Sequence, residues 1–305
     1  MSFTQCLIES PLVLTECAIS ERLHRMNDIK LHPQLFNTPL IYEVHGRKAL
    51  RQIYLSYRQV ALNAKAPILL CAPTWRIDQK QTTIAGAPPS INRDAVTFVK
   101  ELATEWQTIN SPVFTGALLA PKNDCYSPEL SLNRSDSSSF HSWQIDKLLQ
   151  TQASVVIAQT MPSTQEALGM ADVLSEANVP YIISFVIDSD GKVLDDTPLW
   201  DAIQIIDNGV QRVPTGYMVN CVYPTFIKAE SQPAPFFTRL LGIQANSSSK
   251  NHKELDGAAT VQQDPLPNWG KHMLHLHNKY GVKILGGCCG TDDTYLQYLM
   301  DHLPS

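Results

Sequence analysis

The stretch Val282-Lys283-Ile284-Leu285-Gly286-Gly287-Cys288-Cys289-Gly290-Thr291 reads as a short apolar run that stops at two adjacent cysteines set among glycines. Neighbouring cysteines between glycines pack poorly as core. On a turn they can instead hold one soft metal ion, because glycine lets the backbone take positive φ and aim both sulfurs inward. A third cysteine, Cys221, closes another apolar run, Tyr217-Met218-Val219-Asn220. Three thiols at two strand ends, with no evident fourth protein ligand, match an open zinc site; a structural site closes all four positions. Cys221, Cys288 and Cys289 are therefore the candidate Zn2+ ligands and the candidate catalytic residues.

For those ends to meet, the chain must bring distant strands to one mouth. Apolar runs at 12–15, 68–71, 113–118, 155–158, 181–186, 217–221, 240–244 and 283–285 alternate with amphipathic stretches. The latter lie at 48–65, 92–107, 139–151, 164–178, 199–208, 268–280 and 294–302, with no clear helix in the sixth connection. Most runs are apolar throughout, as in parallel strands covered on both faces. Eight such βα units in 305 residues predict an α/β fold, a single-domain (β/α)8 TIM barrel over residues 1–305. Strand C-termini converge in that fold, so all three cysteines fall on one face. Asn92 and Thr294 read as helix N-caps, and Gly281 as a stop signal. The serine-rich stretch 133–139 reads as a surface loop. The polar stretch 246–264 reads as a mobile excursion on the catalytic face, either a cover for the site or a tolerated insertion.

Asn220-Cys221 and the Gly-Gly-Cys-Cys-Gly-Thr string at 286–291 resemble the zinc-binding segments of the homocysteine S-methyltransferases. Gly116 with Pro121, Asp124 and Tyr126, the Phe140-His141 pair, Glu166-Ala167 and Ala245-Asn246 extend the resemblance over nearly the whole chain. The resemblance implies a zinc-dependent methyltransferase in which the thiolate of homocysteine takes the open metal position. That thiolate would attack a methyl group on a sulfonium, quaternary ammonium or folate nitrogen, giving methionine. A loop carrying Asp124 and Tyr126 would line the donor side. General chemistry agrees: a free thiol of pKa about 8.5 is only a few per cent thiolate at neutral pH, whereas zinc coordination deprotonates it. With the chain ending soon after the zinc motif, the expected donor is a small free molecule such as S-methylmethionine or S-adenosylmethionine.

Two positions depart from the family pattern. The family shows Asp-Gly-Gly and then Thr-Glu after the first strand; here Thr15-Glu16-Cys17-Ala18-Ile19-Ser20-Glu21 puts Thr15 at the aspartate position and keeps Glu21. The family's Glu-Thr after the fourth strand corresponds to Gln159-Thr160, and that glutamate is implied to meet the amino acid end of homocysteine. Glu16, Glu21, Gln159, Thr160 and Asn220 are the candidate substrate-binding residues. Losing one partner of a buried charge pair costs about 3–5 kcal/mol, so Glu16, Glu21 or Glu43 would have to compensate. Otherwise the acceptor is a different small thiol without an α-amino group; a non-catalytic zinc- or thiol-binding barrel is the remaining alternative. His272, His275 and His277 fall on a helix remote from the mouth, and Cys6, Cys17, Cys71 and Cys125 suit small core-filling roles.

The resemblance implies a small-molecule thiol and a methyl donor as partners, and composition suggests no other class. An apolar fraction of 44% supports a large core, and a net charge of −5 gives no reason to expect nucleic acid or an anionic membrane surface. No apolar stretch is long enough to span a membrane, and no secretory leader is evident. Seven cysteines, an odd number, fit a reducing cytoplasm, where the sequons at Asn133 and Asn246 are chance matches. Homo-oligomerisation is compatible with this reading.

Overall fold

The computed structural model describes residues 1–251, 254 and 262–303. Eight parallel strands close into a barrel in sequence order: β1 (Val13–Thr15), β2 (Ile68–Ala72), β3 (Val113–Leu119), β4 (Val155–Met161), β5 (Tyr181–Phe185), β6 (Gly216–Val222), β7 (Leu240–Ala245) and β8 (Ile284–Gly287). The fold is the α/β barrel that the alternating pattern predicts. Strand pleating explains why these runs are apolar throughout. In β2, Ile68, Leu70 and Ala72 point out to the helices, while Leu69 and Cys71 point into the barrel. The inner layer also takes Phe114, Ile157, Ile182, Met218 and Ile284. Helix Phe3–Glu9, absent from the sequence reading although Ser2 caps it, closes the end opposite the strand C-termini: its Phe3 packs edge-on against Phe114 at 5.5 Å.

Several local expectations need correction. Asn92 is not an N-cap: helix Ile91–Glu105 starts from Ser90, and buried Asn92 instead donates to the Ile77 carbonyl at 3.1 Å. Likewise Asp292, not Thr294, caps helix Asp293–His302, its Oδ1 accepting from Thr294 N at 2.9 Å. The stretch 133–139 is not a loop. Asn133 caps helix Arg134–Leu149 by accepting from Asp136 N at 3.0 Å, and the serines form its first turns. Their hydroxyls meet the next helix, Thr164–Ser175: Ser137 Oγ donates to Glu166 O at 2.7 Å and Ser138 Oγ to Gly169 O at 2.9 Å. Small side chains here let two backbones approach closely. Gly281 does end helix Leu266–Tyr280, with φ at 74°.

The sixth connection has no long helix. It runs through two 3₁₀ turns, Pro224–Ile227 and Ala229–Ser231, and one turn of α-helix, Phe236–Arg239. The excursion after β7 begins anchored rather than loose: Ser247 N donates to Cys289 O at 3.0 Å, and Ser247 and Ser248 are buried. Its middle, residues 252, 253 and 255–261, lies outside the described residues. Among the described residues no helix is long and apolar enough to cross a membrane.

The helix contact through Gly169 gives a stability prediction. A Cβ there would overlap the Arg134 carbonyl oxygen and Ser137 Cβ, so one atom group is backbone and cannot turn aside. Gly169→Ala should destabilise the barrel by about 1–3 kcal/mol, read from urea unfolding midpoints at unchanged m-value.

Candidate metal centre

The turn after β8 presents Cys288 and Cys289 on a backbone whose polar groups are nearly all held by neighbours. Cys288 N donates to Ala245 O at 2.8 Å, Cys289 N to Asn246 Oδ1 at 3.1 Å, and Gly290 N to the Glu21 carboxylate. Thr291 Oγ1 donates to Cys288 O at 2.6 Å. Of the motif's three glycines only Gly290 has positive φ, at 78°. Gly286 and Gly287 serve close approach instead, since a Cβ would overlap Thr15 Cγ2 and Thr291 Oγ1 respectively.

Cys221 reaches the same place by a different device. Pairing of β6 with β7 shifts register between Asn220 and Val222, and Cys221 at this irregularity has φ of 55°. A matching irregularity lies in β4 between Ala158 and Met161, where Thr160 has φ of 65°. Asn220 joins the two. Its Oδ1 accepts from Thr160 N at 3.0 Å and Ser184 Oγ at 2.6 Å, while Nδ2 donates to Thr160 Oγ1 at 3.1 Å and to Cys221 Sγ at 3.3 Å. Left-handed conformations of non-glycine residues cost about 1–3 kcal/mol each, and such strain gathers at functional sites.

The three sulfurs lie within 4.8 Å of one another, the only such group of His, Cys, Asp or Glu among the described residues. Cys221 Sγ and Cys288 Sγ are 2.6 Å apart. Zn–S bonds of about 2.3 Å put tetrahedral ligand sulfurs roughly 3.8 Å apart, so small side-chain adjustments fit this trio to one zinc. Charge makes the same argument. Contact with Cys288, and then with Cys289, pushes the Cys221 thiol well below the ordinary range. Donating to Cys221 pushes Cys288 well up, and the same contact raises Cys289 to about 12. Three crowded thiols oppose one another's ionisation; a divalent cation would let all three ionise.

The sulfurs open into a cavity of about 290 Å³ at the strand C-termini. Glu16, Gln159, Thr160 and Gln244 line it. Gln159 Nε2 donates to Gln244 Oε1 at 2.7 Å, and Gln244 Nε2 lies 3.4 Å from both Thr15 Oγ1 and Glu16 O. Glu16 Oε2 accepts from Thr15 Oγ1 and Cys71 N, each at 3.1 Å, and burial raises its carboxyl above the usual range. Trp75, Cys125 and Tyr126 line it too. The negative charge of Cys221, more than burial, pushes the Tyr126 hydroxyl well up. In the loop that carries Cys125 and Tyr126, Lys122 N at 2.8 Å and Leu132 N at 3.1 Å donate to buried Glu166, which also meets His141 Nε2 at 3.0 Å. That carboxylate holds the loop in place.

The structure thus brings together Glu16, Glu21, Gln159, Thr160, Asn220 and the three cysteines around one cavity. Glu21 braces the cysteine turn. Glu43 is exposed at the start of helix Val44–Asn63, away from this cavity, and cannot compensate for a lost acid. Asp124 folds onto Tyr126 N at 3.1 Å and does not line the cavity, whereas Tyr126 does. Cys17, Cys71 and Cys125 are buried yet line it, beyond a filling role. Gln244, Asn246 and Trp75 were missed as site residues. A polar Gln244 at the end of an apolar strand was the available signal. The three histidines stay apart: His277 Nδ1 lies 2.9 Å from Val282 O and His275 pairs with Glu230.

The fold is an eight-stranded barrel whose mouth carries a cysteine trio with the donor set to hold a metal ion. A family model described as homocysteine S-methyltransferase matches residues 13–303, and the chain belongs to that family. It is similar to the homocysteine S-methyltransferase YbgG of Bacillus subtilis (strain 168), 26% identical over 191 residues. That match covers 60% of this chain and 56% of YbgG, so the chain aligns with little more than half of that relative's length. The metallated form of the homocysteine methyltransferase MmuM from Escherichia coli superposes with a TM-score of 0.74 at 16% identity, covering 98% of this chain and 99% of that one. Its oxidised form gives 0.73 at 15%, covering 97% and 98%. These two likenesses establish a common fold.

Asn220 supports both strained strand ends and one sulfur. Asn220→Ala should weaken zinc affinity about 10–100-fold, measured by competition with a chromophoric chelator, while all three cysteines remain.

Proposed function

We propose that this protein is a zinc-dependent S-methyltransferase that moves a methyl group from a small sulfonium donor to a thiolate, with homocysteine as acceptor and methionine as product. The observation that carries the proposal is the cysteine trio from β6 and the β8 turn, opening into a cavity that can hold a thiol. Membership of the homocysteine S-methyltransferase family supports the reaction class. Cys221, Cys288 and Cys289 would hold Zn2+, which when bound supplies the Lewis acidity that keeps an incoming thiol ionised at neutral pH.

The protein's own groups then position the reactants. Asn220 Nδ2, 3.3 Å from Cys221 Sγ, steadies that sulfur, and Glu21 fixes the turn that carries the other two. The acceptor sulfur would lie beside the trio with its carbon chain toward Gln159, Thr160 and Glu16. Trp75 and Tyr126 offer aromatic faces to a donor cation. The acceptor sulfur's electron pair forms the new S–CH₃ bond, the old S–CH₃ bond breaks toward the sulfonium sulfur, and the donor leaves as a neutral thioether. The thiol proton goes to solvent. Holding the two sulfurs in line around the methyl carbon is the main catalytic contribution expected of such a site.

A cavity of 290 Å³ is at the small end of ligand pockets, roughly 300–1,000 Å³, which favours an S-methylmethionine-type donor over the bulkier S-adenosylmethionine. A reducing, cytoplasmic setting fits thiols that must stay unoxidised. Zinc-loaded protein incubated with S-methylmethionine and homocysteine should yield methionine by mass spectrometry. Cys288→Ala should abolish both stoichiometric zinc and product. Turnover retained in the metal-free variant would contradict the proposal.

A further inference from the structure

We infer that the Gln159–Gln244 carboxamide pair sets acceptor specificity, so that this pocket takes small thiols lacking an α-ammonium group about as readily as it takes homocysteine. The inference rests on the proposed methyl transfer and concerns only which thiol is accepted. Its basis is an inventory of charge. Among the described residues no Lys, Arg or His lines the cavity, and only two carboxyl groups do, Glu16 and Glu21. Glu21 is committed: one oxygen accepts from Gly290 N and the other from Arg25. Glu16 is buried and already accepts at Oε2 from Thr15 Oγ1 and Cys71 N.

Apart from the hydrogen-bonded Glu16 carboxyl, what faces the acceptor side is a neutral, directional chain. Gln159 donates to Gln244, and Gln244 reaches Thr15 and the Glu16 carbonyl. Gln159 Oε1 has no protein donor among these bonds, which leaves one carbonyl acceptor and one amide hydrogen for a ligand. A carboxamide serves an ammonium, an amide N–H or a hydroxyl with similar ease. A carboxylate at the same place would form a charge pair with an ammonium, and removing the ammonium would then strand a buried charge. Thr160, the neighbour of Gln159, sits in a left-handed conformation pinned by Asn220, so the backbone carrying Gln159 has little freedom to bring another group into its place.

The test uses cobalt-substituted protein and follows the thiolate-to-cobalt absorption on titration with homocysteine and with 4-mercaptobutanoate, its analogue without the amino group. The expected ratio of dissociation constants is within about tenfold. In Gln159→Glu the preference for homocysteine should rise to about 100-fold or more. Turnover of the same two thiols with S-methylmethionine should shift in parallel. A preference of 100-fold in the unaltered protein would overturn the inference while leaving the methyltransferase reading intact, and that measurement needs no variant to fold. Loss of such a preference in Glu16→Gln would locate the ammonium partner at Glu16 and overturn it equally. Silence toward every thiol would sink both the inference and the proposed function.

Discussion

The site depends on one geometric constraint: β6 and β8 both pair with β7, on its two sides. Asn220 and Gly286 stand in register with the same residue, Gln244. Neighbouring strands are about 4.8 Å apart, so the outer two are separated by roughly 9–10 Å, too far for straight strands to bring thiols together above β7. The β6 irregularity at Cys221 and the glycine turn after β8 close that gap from both sides, leaving the sulfurs within 4.8 Å.

Closing the gap has an energetic cost, and its compensation is visible. Thr160 and Cys221 both take left-handed conformations, and the four hydrogen bonds of one buried side chain, Asn220, stabilise them. The β8 turn is braced by Ala245, Asn246, Ser247 and Glu21 in the same way. The cavity lining combines carboxamides and a buried carboxyl with the aromatic residues Trp75 and Tyr126. Such a lining suits one partner held by hydrogen bonds and another held as a cation against π-faces.

The barrel and the cysteine trio were legible in the sequence for simple reasons. Buried parallel strands are apolar at every position, and two cysteines among glycines have few other uses. What stayed hidden depended on tertiary contacts. Asn92 has good capping chemistry, but Ser90 begins the helix because Asn92 is needed by Ile77. The serines after Asn133 look like loop residues, yet they form a helix because a second helix packs against their small side chains. Asn246 and Gln244 act on neighbouring backbone and side chains across the barrel, which no local pattern announces. Backbone strain at Thr160 and Cys221 is similarly silent, since both residues fit an ordinary strand by composition.

A three-sulfur centre with a fourth position open to substrate is the central claim, and X-ray absorption at the zinc edge tests it most directly. Zinc-loaded protein should show three sulfur neighbours at about 2.3 Å and one lighter neighbour. Adding homocysteine should replace the lighter neighbour with a fourth sulfur. Four sulfurs before any thiol is added, or a coordination shell that does not respond to thiol, would contradict the account.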